Sequence, residues 1–111
     1  MNEQNLQEAV VTYLKLKYKN ILFCASAGGL RTSISQAAAM KRAGYVKGVP
    51  DMQVMEGRHG YYGLFIELKT KKGKISPHQK KWLNDLNDKG YMAKCCYGLD
   101  EALNLIDWYL L

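Results

Sequence analysis

No apolar run in this chain approaches the roughly 18 residues needed to span a bilayer, so the sequence carries no membrane-spanning helix. No secretory leader is expected, since the opening Asn2-Glu3-Gln4-Asn5 is polar and contains no Lys or Arg. The expected location is the cytoplasm. Cysteine is sparse, at three residues, and none stand at C-x-x-C spacing, which argues against a zinc site and against a disulfide framework. Cys24, Cys95 and Cys96 read instead as buried thiols in a reducing compartment. Cys95 and Cys96 are adjacent, so in a strand they would face opposite ways. The two histidines have no partner at ligand spacing: His59 falls in a loop and His78 in an exposed first helical turn. Internal repeats and low-complexity segments are missing too, and nothing marks a domain boundary.

What remains is 111 residues, 48% hydrophobic, enough for one domain spanning 1–111 with one core. Acids are in deficit, ten against sixteen Lys and Arg, for a net charge of +6. A basic small domain favours a polyanionic partner, because cations release counterions from phosphates. The distribution says more than the sum. From Lys69 to Lys81 there are six lysines and no acid: Lys69, Lys71, Lys72, Lys74, Lys80 and Lys81. Such a run is either a solvated face or a contact for a phosphate backbone.

Along the chain, Leu6, Ala9, Val10, Tyr13 and Leu14 recur at helical spacing between Asn2 and about Tyr18. Ile21–Ala25 reads as a short buried strand, and Ser26-Ala27-Gly28-Gly29 as a tight loop. Ser33 and Gln36 form a capping box for a helix running to about Arg42, with Gly44 just past its end. After the Lys47–Pro50 turn, Asp51–Glu56 and Tyr61–Thr70 read as strands joined through Gly57–Gly60. Ser76-Pro77 opens a helix with Trp82, Leu83 and Leu86 on its buried stripe. Gly90 closes it, Tyr91–Tyr97 is a strand, and Leu99–Leu110 is an amphipathic helix carrying Leu103, Ile106 and Leu110. The order α-β-α-β-β-α-β-α predicts an α/β fold, a mixed central sheet flanked by helices.

The strand at Leu64–Lys69 carries the chemistry. Alternation sets Leu64, Ile66 and Leu68 on one face and Phe65, Glu67 and Lys69 on the other. An acid in a buried strand needs compensation, which Lys69 could supply as a structural ion pair. Asp51 offers a second reading. It opens the preceding strand, and a hairpin-like connection would bring it alongside the end of the next one. Two neighbouring carboxylates repel unless a cation or proton lies between them. Oxygen donors of this kind suit Mg²⁺ or Mn²⁺. Taken alone, Asp51 would also serve as a turn residue.

Gly48-Val49-Pro50-Asp51, then Gly63-Leu64-Phe65-Ile66-Glu67-Leu68-Lys69, then Gly73-Lys74-Ile75-Ser76-Pro77-His78-Gln79 resembles the VRR-NUC (virus-type replication-repair nuclease) domain of the PD-(D/E)xK nuclease superfamily. The resemblance spans nearly the whole chain and implies a restriction-endonuclease-like fold. It implies Asp51 and Glu67 as metal ligands with the Leu68 backbone carbonyl, and Lys69 as the catalytic lysine. Glu8, on the first helix, is similar to a helical glutamate that completes such sites; a solvated surface glutamate fits its position equally. Gln79 is similar to the family's glutamine at the start of the helix after the core strand, and it also completes a capping box with Ser76. Relatives often carry Asn-Gly and then arginine before the second helix. Here Ala27-Gly28-Gly29-Leu30-Arg31 stands in that place, with Arg31 as a candidate phosphate contact.

The implied activity is Mg²⁺- or Mn²⁺-dependent hydrolysis of phosphodiesters in structured DNA. Lys71, Lys72, Lys74, Lys80 and Lys81 would hold the DNA backbone, with no small-molecule cofactor and no membrane. Single-domain relatives suggest a bacterial or phage setting and a homodimer resolving four-way (Holliday) junctions. Two rivals stand beside this: a flap or single-strand nuclease within a replication or repair assembly, and a non-cleaving DNA-binding subunit of the same fold. The second would be expected to lack Asp51, Glu67 or Lys69, and all three are present.

Overall fold

The computed structural model describes residues 1–26 and 33–111. Helix α1 (Glu3–Lys17) starts at Asn2, whose side chain accepts from the Asn5 N–H, and its buried stripe is Leu6, Val10 and Leu14. Strand β1 (Phe23–Ala25) follows, then α2 (Ile34–Arg42), capped by the Ser33–Gln36 box expected from the sequence. Next come β2 (Met52–Val54), β3 (Leu64–Lys69), α3 (Pro77–Asp88), β4 (Met92–Tyr97) and α4 (Leu99–Leu110). The sheet order is β1-β2-β3-β4, with β1, β2 and β3 antiparallel in turn and β4 parallel to β3. This is the predicted mixed sheet in the predicted element order. Among the described residues no helix is long and apolar enough to cross a membrane.

The alternation in β3 divides the core in two. Leu64, Ile66 and Leu68 join Met52, Val54 and Cys96 beneath α1 and α4. On the other face Phe65 and Ala93 meet Leu83 and Leu86 of α3, with Cys95 packed alongside. Cys95 and Cys96 thus face opposite ways, as adjacent strand residues must. Each fully buried Leu or Ile contributes roughly 1.5–3 kcal/mol, so the larger cluster can offset the cost of a charged group held at its margin.

Details depart from the sequence expectation where side chains intervene. The strands are shorter than predicted, and β1, expected to be buried, is half-buried only at Phe23, so that Cys24 is exposed and Cys96 alone of the three thiols is fully buried. Tyr61 and Tyr62 belong to a longer connection in which Tyr61 bridges Arg58 and His59 stacks on Trp108. In α3, Trp82 is only half-buried, and in α4 Ala102, Ile106, Tyr109 and Leu110 form the buried stripe while Leu103 is half-buried. A polar tie joins α1 to α4: Asp107 accepts from the hydroxyls of Tyr13 and Tyr18 and from Lys17.

Helix α2 is the exception to this packing. None of its residues is buried, and Ile34 is 92% exposed.

Candidate metal centre

The β2–β3 ladder runs from Val54↔Leu64 to Met52↔Ile66. Its next rung would set Pro50 opposite Leu68. Proline has no N–H to give, so the backbone ladder stops and the strands part. The Asp51 carboxylate takes over, with Oδ2 accepting the Leu68 N–H at 2.8 Å. In a strand the N–H and C=O of one residue project to the same edge. The Leu68 carbonyl therefore lies on the Asp51 side and receives no ladder donor from Pro50.

Beside that break lie three carboxylates. Oxygens of Glu3, Asp51 and Glu67 all fall within 4.8 Å of one another. Glu67 is 1% exposed. Its Oε2 accepts from Gln79 Nε2 at 3.1 Å, and Oε1 is buried with no hydrogen-bond partner among the described residues. Lys69, 9% exposed, holds its ammonium 3.9 Å from both Glu67 Oε2 and Glu3 Oε1. These separations are too long for hydrogen bonds, so Lys69 acts on the acids as a nearby charge.

Burial first, then the negative charge of Asp51 and a hydrogen bond to Asp51 that only the protonated acid can make, push the Glu67 carboxyl up to about 8, against a smaller opposing pull from Lys69. A buried acid that resists ionisation, with one oxygen unpartnered, is short of positive charge. A set of carboxylate oxygens beside a strand carbonyl fits a hard divalent cation such as Mg²⁺ or Mn²⁺.

Gln79 belongs to both roles open to it in the sequence. Its backbone N–H bonds Ser76 Oγ, its Oε1 accepts the Ser76 N–H, and its Nε2 is left to hold Glu67. The capping box thus fixes which end of the amide faces the site. The two motifs on either side also touch. Gly48 has φ +93°, and a Cβ there would meet the His78 backbone at 2.7 Å. The turn preceding Asp51 therefore sits directly against the first turn of α3, bringing Asp51 and Gln79 to one site.

The helical glutamate is corrected by the structure. Glu8 is exposed and bonded to Gln4 one turn away, whereas Glu3 reaches the acid cluster. The reason is phase: Glu3, Leu6, Val10 and Leu14 form one stripe at helical spacing, and Glu8 points well away from it. Extending the Leu6–Val10–Leu14 stripe back by one turn would have found Glu3 in the sequence.

The expected DNA-contacting lysines surround this end of the sheet without entering the cluster. Lys71, Lys72, Lys74, Lys80 and Lys81 are exposed; Lys71 lies along Gly98, and Lys81 is paired with Asp85 at 2.7 Å. Arg31 and the Ala27–Leu30 stretch before it lie outside the described residues.

Comparison with known proteins places this arrangement in context. The family model of the VRR-NUC domain matches residues 1–100. A solved structure described as a VRR-NUC domain protein superposes with a TM-score of 0.86 at 28% identity, covering 99% of this chain and 88% of the other. A second, described as a VRR-NUC domain, gives a TM-score of 0.64 at 19% identity over 96% of each chain. No functionally curated protein matches.

Proposed function

The chain belongs to the VRR-NUC family, and from that premise we propose that it is a divalent-metal-dependent endonuclease acting on structured DNA. The nuclease-type fold is the family's; the metal dependence and the substrate are the proposal. The observation that carries it is the buried Glu67 Oε1, without a hydrogen-bond partner among the described residues, inside a three-carboxylate cluster. Glu3, Asp51, Glu67 and the Leu68 carbonyl would hold Mg²⁺ or Mn²⁺. A cation there supplies a Lewis acid for a phosphoryl oxygen and lowers the pKa of an attacking water.

The chain's own groups do the rest. Gln79 Nε2 restrains Glu67 through one oxygen and leaves the other for the ion. The Leu68 N–H fixes the Asp51 carboxylate against the strand end. Lys69, between Glu3 and Glu67, offsets negative charge gathering on the phosphate in the transition state, worth about 100-fold or more in rate. The exposed lysines of the 71–74 loop and the start of α3 grip the backbone without reading bases, which favours selection by DNA shape over sequence. Among the described residues there is one acid cluster per chain. Cutting both strands of a four-way junction is therefore expected of a homodimer. A flap or single-strand substrate would need only one site.

The test is cleavage of four-way junction, flap, single-stranded and linear duplex DNA with Mg²⁺ or Mn²⁺. Wild type is expected to cut a branched substrate, and Asp51→Ala and Lys69→Ala to lose at least about 100-fold. Absence of cleavage on every substrate overturns the enzyme reading. Equal cutting by both variants overturns the site. Sedimentation with and without junction DNA checks the dimer.

A further inference from the structure

Beside the metal centre lies an open cleft of about 1020 Å³, walled by α2 and the segment after it, by the end of β1, by Gln53 of β2, and by the first half of α3. It adjoins the acid cluster through its own lining. Val49 is two residues from Asp51, His78 is next to Gln79, and the Ser26 N–H bonds the Asp51 carbonyl at 2.9 Å. Three ring side chains line it: Tyr45, 54% exposed, His78, and the half-buried Trp82. Its charged residues are Lys41 and Lys47, and no acid lines it among the described residues. Helix α2 buries none of its residues against the chain; its inner face, through Ala37 and Met40, is a wall of this cleft. A helix of nine residues gains little stability by itself, so an occupant of the cleft would add to the few contacts α2 makes among the described residues.

We propose that this cleft receives unpaired nucleotides of the DNA substrate next to the scissile phosphate. The bases would lie against Tyr45, His78 and Trp82, and the phosphates would meet Lys41 and Lys47. The proposal rests on the DNA-nuclease reading above and narrows its substrate. Rings interleaved with cations, without acids, are the pattern that binds single strands: every base offers a π-face, and the backbone follows the positive charge. In an intact duplex those faces are covered by neighbouring base pairs. The cleft therefore selects a strand that is already unpaired at a flap, gap or branch, or one that opens there. This gives the enzyme a way to choose structure without reading sequence.

Binding is measured in EDTA, where the result does not depend on cleavage, by fluorescence anisotropy of a short oligothymidylate and of a duplex of equal length. The single strand is expected to bind more tightly. Tyr45→Ala is expected to weaken it about 5- to 150-fold while hardly changing duplex affinity. The double variant Lys41→Ala, Lys47→Ala is expected to lower the slope of log affinity against log salt by about 1.4. All three side chains are exposed, so these changes leave the core intact. In a Trp108→Phe background Trp82 is the sole tryptophan. Its fluorescence should then be quenched by the oligonucleotide and not by an abasic strand of the same length. Unchanged affinities with no quenching overturn the proposal. A Tyr45→Ala protein that changes its sedimentation but not its strand affinity also overturns it, making the cleft a contact between copies of the chain. Because cleavage is scored separately, a protein that cuts branched DNA yet ignores these substitutions loses the cleft and keeps the nuclease.

Discussion

Replacing Glu67 by glutamine should stabilise this protein when metal is absent and disable it when metal is present. In the folded chain burial and the Asp51 charge hold the Glu67 carboxyl near 8, against 4.5 when free. The sign follows from proton counting. Between those values the folded state keeps a proton that the unfolded state has lost, so stability falls as pH rises through the window. Each tenfold displacement of protonation is about 1.4 kcal/mol, so the metal-free protein should lose on the order of 3 kcal/mol between pH 5 and pH 8. For a domain of this size that is about 10 °C in Tm. Glutamine keeps the shape and can still accept from Gln79 Nε2, but it has no charge to bury. The assay is thermal unfolding in EDTA across pH, repeated with Mn²⁺. Wild type should lose stability toward pH 8 and recover by about 2.7 kcal/mol with Mn²⁺ at a hundred times its Kd. Glu67→Gln should show little slope, a higher Tm at pH 8 and no gain from Mn²⁺. Equal slopes in the two proteins would refute the reasoning, because the carboxyl would then ionise freely in the fold.

Glu3→Gln should weaken Mn²⁺ binding and slow cleavage at least about 10-fold, while Glu8→Gln leaves both unchanged; calorimetric titration of Mn²⁺ into each separates them. Gln79→Glu keeps the capping box but sets a further carboxylate beside Glu67, so cleavage should fall at least about 10-fold with Tm little altered in Mn²⁺. Gln79→Ala, by contrast, should lose both activity and about 1 kcal/mol of stability, read by denaturant unfolding. Gly48→Ala must adopt φ +93° and meet the His78 backbone at 2.7 Å. It should cost about 3 kcal/mol in urea unfolding and reduce cleavage, since the same turn carries Asp51.

The sequence by itself determined the element order, because alternation, helical spacing and capping signals are local. Ser33-Gln36 and Ser76-Gln79 opened their helices where those residues predict. Alternation also placed Glu67 opposite the Leu64, Ile66 and Leu68 face, and the motif residues around Asp51 identified the family. The structure decided what depends on distant segments meeting. Glu3 lies on the Leu6–Val10–Leu14 stripe that the sequence already shows, but its meeting with Asp51 and Glu67 depends on where α1 docks on the sheet. Asp51 and Gln79 share one site because Gly48 lets the Asp51 turn approach α3 at His78, a contact between residues 30 positions apart. The cleft beside α2 had no signal in the sequence, since Lys41, Tyr45, Lys47, His78 and Trp82 share no local period and converge only in three dimensions. Local sequence patterns encode secondary structure; the charge balance of a buried site depends on which elements pack around it, and only the fold sets that.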